Sequence, residues 1–146
     1  MLPFSWVVAE EKPSLSSYEK QPSLNSYYVG DWFGETSQGH PIRLKIKDID
    51  GKIVVTQLAY KMKLKGLSLG WEKTVDRLKP QNISAVVGFY DFKFKGKVEF
   101  NKIELTGTFQ NASLLEGTLK EINIFPVNIV TAIGEVKYRA RKRVLD

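Results

Sequence analysis

The sequence contains no cysteine and a single histidine, His40. Without thiols there is no disulfide, no thiolate nucleophile and no cysteine-based zinc site. One imidazole cannot complete the usual zinc ligand set, so no metal site is expected. The absence of cysteine does not fix the compartment. No apolar run approaches the roughly 18 residues of a membrane span, so a membrane-spanning helix is not expected. Helical stripes with caps are also missing; only "EKTVDRLKP" (72–80) offers one or two helical turns before Pro80. No G-x-S-x-G, H-E-x-x-H or phosphate-cradling glycine loop occurs. His40 sits in the turn-like "SQGHPI", where exposure is the usual fate. No catalytic residue and no enzymatic activity are therefore expected.

The chain has 146 residues, the length of one ordinary domain and enough for a core without staples. Twenty-two Lys and Arg against 16 Asp and Glu give a net charge of +6. That excess favours anionic partners, although charge of this size also serves solubility. The start, "MLPFSWVVAEE", has the small-residue end of a signal peptide, but Met1–Ala9 is too short for an intact one and lacks a basic leader. Residues 10–28 carry two prolines, many serines and an echo of nine residues, "KPSLSSY" and "QPSLNSY". We read residues 1–28 as an extended N-terminal arm, tethered or docked, and residues 29–146 as the folded domain.

From Val29 onward the pattern has period two. Ile42, Leu44 and Ile46 share one face, and Arg43, Lys45 and Lys47 take the other. Asp50-Gly51 then supplies a hairpin turn, since that pair tolerates positive φ. Leu58, Tyr60, Met62 and Leu64 alternate with Lys61, Lys63 and Lys65. Tyr90, Phe92, Phe94, Val98 and Phe100 alternate with Asp91, Lys93, Lys95, Lys97 and Glu99. Gly96 on that apolar face marks a bend or bulge. Asn101-Lys102 reads as a turn, after which Ile103, Leu105, Gly107 and Phe109 alternate again. Val136, Tyr138 and Ala140 share a face near the end; "FPVNIVTAIG" (125–134) is a strand or a loop plug. The expected fold is all-β: an antiparallel meander of eight to ten strands closing into a small barrel or a sandwich, with the one-sided alternation favouring the barrel.

The lead-in to the first strand, "VGDWFG", places Gly30, Trp32 and Gly34 two residues apart, followed by Pro41. A Trp there can plug the closed end of a barrel while the glycines let neighbouring backbone approach. About twelve residues thus resemble the G-x-W signature of the lipocalin and calycin group, with spacing similar to its nitrobindin branch. Thr36 and Gln38 stand where that branch has further glycines. The resemblance implies a calycin-like barrel in which a basic residue of the last strand, Arg139, Arg141 or Arg143, lies over Trp32 as a cation–π partner. Haem in that branch needs a late histidine, which is absent here, so no cofactor is expected.

Two functions remain open. The first is a non-enzymatic carrier of a small apolar or amphipathic ligand, such as an acyl chain, isoprenoid or pigment. Its candidate lining is Leu58, Tyr60, Met62, Leu64, Tyr90, Phe92, Phe94 and Phe109. The second is a filled barrel that uses a basic outer face and its arm to bind an acidic protein, nucleic acid or anionic membrane surface. "KYRARKR" carries Lys137, Arg139, Arg141, Lys142 and Arg143, and together with Lys61, Lys63, Lys65, Lys93, Lys95 and Lys97 it could form that face. Parity turns Tyr90, Phe92 and Phe94 away from the lysines, which argues against nucleic-acid stacking on this face though not against phosphate contact. Asp31 is placed to pair with a basic residue of the last strand. Asn82 and Asn111 open two glycosylation sequons, read here as turn residues. The oligomeric state is not legible in the sequence.

Overall fold

The computed structural model describes residues 27–68, 70–124 and 130–143. All but two residues of the N-terminal arm, and most of the 125–130 stretch, lie outside these. The described chain forms eight strands: β1 (Gly30–Thr36), β2 (Pro41–Ile49), β3 (Lys52–Gly66), β4 (Glu72–Val86), β5 (Asp91–Val98), β6 (Asn101–Asn111), β7 (Leu114–Asn123) and β8 (Ala132–Lys142). They run in the order β4-β3-β2-β1-β8-β7-β6-β5, every ladder antiparallel. Two four-stranded meanders are thus joined through β1 and β8. The end of β3 also reaches the start of β8, pairing Lys65 with Ile133 and Gly66 with Ala132. That second contact curls the sheet into a barrel.

Period-two alternation builds the interior. Ile42, Leu44 and Ile46 are buried while Lys47 is exposed, and Val136, Tyr138 and Ala140 are buried between exposed Glu135, Lys137, Arg139 and Arg141. The inward side chains form one continuous core from Trp32 to Ala140. The Asp50-Gly51 turn forms as expected, both residues at positive φ (53° and 87°).

Three local expectations are corrected. Residues 72–80 are strand, not helix: Val75 and Arg77 alternate inward, and Pro80 is tolerated because β4 pairs with a neighbour on one side only. Register slips flank that stretch, where β3 and β4 are irregular between Leu58 and Tyr60. Gly96 makes no bulge; it stays opposite Ile103, and the Phe94 ring lies over it. The turn after β5 is Glu99-Phe100 rather than Asn101-Lys102, since Val98 pairs with Asn101. Glu99 therefore takes φ 56°, Phe100 is exposed, and Asn101 points into the barrel.

Candidate functional site

The sequence-derived lining is mostly placed inside. Leu58, Tyr60, Met62 and Leu64 have no solvent exposure, Phe92 and Phe109 are buried, and Phe94 is half-buried. Tyr90 is not part of it. It precedes β5 in the bend after Gly88, so strand parity does not govern it, and it is 56% exposed. The buried members pack against each other and against Trp32, Leu105 and Leu119.

The interior also holds charge that alternation did not reveal. Glu121 of β7 is fully buried and accepts hydrogen bonds from the Tyr60 hydroxyl, the Asn101 amide and Arg77 Nη2, the last at 2.7 Å. Arg77 also reaches Glu99 through Nη1 at 3.0 Å. Burial alone would lower the Arg77 pKa, but the hydrogen bond and charge of Glu121, with Glu99 beside them, hold it above its ordinary value. Burial first, then the Glu121 charge, push the Tyr60 phenol up. Arg77 and Tyr60 lie on β4 and β3, Asn101 and Glu121 on β6 and β7. The cluster therefore ties together the two halves that meet at β4 and β5, between which no strand ladder forms. Each carboxylate oxygen of Glu121 has a donor, so this is a satisfied structural network and not an open binding site.

The glycines around Trp32 have separate causes. Gly30 adopts φ 142° and the Lys142 stem fills the space a Cβ would need. At Gly34 a Cβ would overlap the Arg139 carbonyl, so only glycine lets β1 and β8 approach this closely. Trp32 is fully buried, donates from Nε1 to the Tyr28 carbonyl at 2.8 Å, and meets Phe109 edge-on at 5.1 Å; Tyr28 stacks on the same Phe109. Thr36 and Gln38 have their own roles. Thr36 Oγ1 accepts from the Gln38 and His40 amides. The Gln38 side chain both donates to and accepts from the Lys63 backbone, patching the β1–β2 turn onto β3.

The expected arginine over Trp32 is a correction. Arg139 and Arg141 alternate outward, because Tyr138 and Ala140 take the inner face. Arg139 binds Glu116 Oε2 at 2.6–2.7 Å. The cation–π contacts fall instead on Phe33, which faces outward because its neighbour Trp32 faces in. Arg43 and Arg143 place their guanidinium carbons 5.2 and 5.5 Å from the Phe33 centroid. Asp31 pairs weakly with Arg43 of β2, at 3.8 Å, and not with a last-strand side chain. The register sets Phe33 directly between Arg141 and Arg43.

Two grooves flank this ring. One, of about 670 Å³, crosses β1, β8 and β7 and is lined by Phe33, Gly34, Glu116, Lys137, Arg139 and Arg141 among others. The other, of about 320 Å³, crosses β1 to β4 and is lined by Phe33, Gly34, Pro41, Arg43, Ala59 and Leu78 with Ile42 beneath. A third, of about 400 Å³, lies beside Gly88, Phe92 and Gly107. Tyr60, Met62 and Leu64 line none of the three.

The β5 lysine stripe does not merge with the tail, whereas the end of the β3 stripe, at Lys65, reaches the start of β8. β5 is three strands from β8, and its Lys95 heads a rung that alternates in sign, Lys95–Glu104–Lys120–Glu135. Lys63 of β3 faces Glu72 at 3.6 Å. Of the sequons, Asn111 caps a turn by accepting from Ser113, while Asn82 lies within β4. Among the described residues no cluster of His, Asp and Glu is placed to hold a metal ion, and no helix is long and apolar enough to cross a membrane.

No family model matches the chain, and neither the curated proteins nor the solved structures yield a match.

Proposed function

We propose that the chain is a non-enzymatic interaction module, a filled barrel that holds an anionic partner on the outer face of β8, β1 and β2. The observation that carries this reading is the Arg141–Phe33–Arg43 rung, with Arg143 beside it and a groove on each side. Arg143 and Arg43 are held over an aromatic ring, Arg43 with Asp31 only at 3.8 Å, and arginine donors fixed in this way are preorganised for phosphate or carboxylate oxygens. Arg141 and Arg143 have no carboxylate partner among the described residues. The packed interior supports the same reading, since the side chains first assigned to a ligand are spent on the core. The G-x-W lead-in, in which Trp32 is a core anchor, fits a role in folding and not in binding.

Titration with inorganic polyphosphate at low and physiological salt tests this. Affinity should fall by roughly tenfold or more between about 50 and 200 mM salt. An apolar fluorescent probe should show no saturable uptake. Saturable, salt-insensitive uptake displaced by a fatty acid, without polyphosphate binding, would instead establish the internal carrier.

A further inference from the structure

We infer that the anionic partner is a single-stranded nucleic acid, with a base displacing a guanidinium from the Phe33 ring and phosphates taken up by Arg43, Arg141 and Arg143. The inference rests on the reading of this face as an anion-binding site and names its ligand. Three features favour a flat-ringed, linear polyanion. Phe33 is 36% exposed on a face whose neighbouring side chains in register are arginines, so a ring and cations alternate across the strands. Aromatic platforms within a basic groove are the means by which single strands are held without sequence preference.

The shape is the second feature. The two grooves share Phe33 and Gly34 and form a track that crosses from β7 through β8, β1, β2 and β3 to β4. Five interstrand steps of about 4.8 Å make it roughly 24 Å long. That accommodates about four to seven nucleotides.

The third feature is the chemistry of the walls. The Gly34 and Gly117 backbones and Ser37 line the larger groove beside its basic side chains. Glu116, which would repel phosphate, is neutralised by Arg139. Two carboxylates oppose an anion here: Asp31, paired with Arg43 at 3.8 Å, and Glu35, exposed and lining the same groove. Glu35 supplies a gain-of-binding variant. An acidic peptide would satisfy the arginines but gains little from Phe33, so the ring discriminates between the two.

The test compares a labelled oligothymidylate of about ten nucleotides with inorganic polyphosphate of equal charge, using the full chain. The oligonucleotide should bind more tightly than polyphosphate. Phe33→Ala should weaken both ligands, the oligonucleotide by about tenfold more than polyphosphate, and Phe33→Trp should restore binding. Arg141→Glu with Arg143→Glu should weaken both ligands, and Glu35→Gln should strengthen both. Thermal melting of each variant verifies that the fold is retained, which the exposed positions predict. Equal binding of the two ligands, or insensitivity of the oligonucleotide to Phe33→Ala, overturns the nucleic-acid inference while leaving an anion site in place. Binding of neither ligand overturns both.

Discussion

Trp32 and Phe33 are adjacent in the chain and face opposite sides of the same strand, so two aromatic rings do unrelated work. Trp32 fills the barrel; Phe33 organises arginines outside it. Trp32→Ala should cost about 3–5 kcal/mol, read as a large drop in melting temperature, as for other large buried aromatics. Phe33→Ala should cost under about 1 kcal/mol in the same assay, since an exposed cation–π contact contributes roughly that much. Both faces were present in the parity of "GDWFGET". The Trp drew attention through its resemblance to a known lead-in, and the outward ring beside it carried no motif. Glu121 was invisible for a different reason. Parity predicts an apolar residue inside, and the donors that stabilise the carboxylate come from β3, β4 and β6, far away in sequence.

The buried phenols give a pH dependence at this scale. Burial raises Tyr138, and burial together with the Glu121 charge raises Tyr60. Their folded-state pKa values therefore lie above the unfolded value near about 10. The unfolded chain then binds fewer protons in alkali, so the stabilisation is fully present below about pH 10 and is lost as pH rises beyond it. Two such groups steepen the loss by roughly 3 kcal/mol per pH unit. Chemical denaturation between pH 8 and 12 should show this decline, and Tyr138→Phe should reduce its slope by about half.

At the scale of elements, the closure depends on contacts that spacing alone does not specify. The β1–β8 ladder requires Gly34, where any Cβ meets the Arg139 carbonyl. Gly34→Ala should destabilise by about 1–3 kcal/mol through that overlap. Gln38 completes the barrel wall by acting as a piece of strand toward Lys63. Gln38→Ala should accelerate hydrogen exchange at the Lys63 amide and leave the β6–β7 ladder unchanged. Faster exchange across β6–β7 as well would mean that the turn supports the whole fold and not its local edge. The strands themselves were largely legible because Ile42–Ile46, Leu58–Leu64 and Ile103–Phe109 alternate cleanly. β4 was the least legible: Arg77 occupies an inward position, and Leu78 and Pro80 interrupt the pattern. Only tertiary context, an inward Arg matched by Glu121, makes that stretch read as a strand.

At the scale of the whole molecule, a net charge of +6 says little until its placement is known. The strand order separates the β5 lysines from the β8 arginines and sets Glu104 opposite Lys95. Arg141 and Arg143, which have no carboxylate partner among the described residues, lie beside Phe33. The account therefore predicts that function follows location and not charge count. The most direct test is a side-by-side charge reversal, with polyphosphate affinity measured at physiological salt. Arg141→Glu with Arg143→Glu should abolish binding, and Lys93→Glu with Lys95→Glu, the same change in net charge, should reduce it only slightly. Equal losses from the two pairs, or a larger loss from the β5 pair, would contradict a site centred on Phe33.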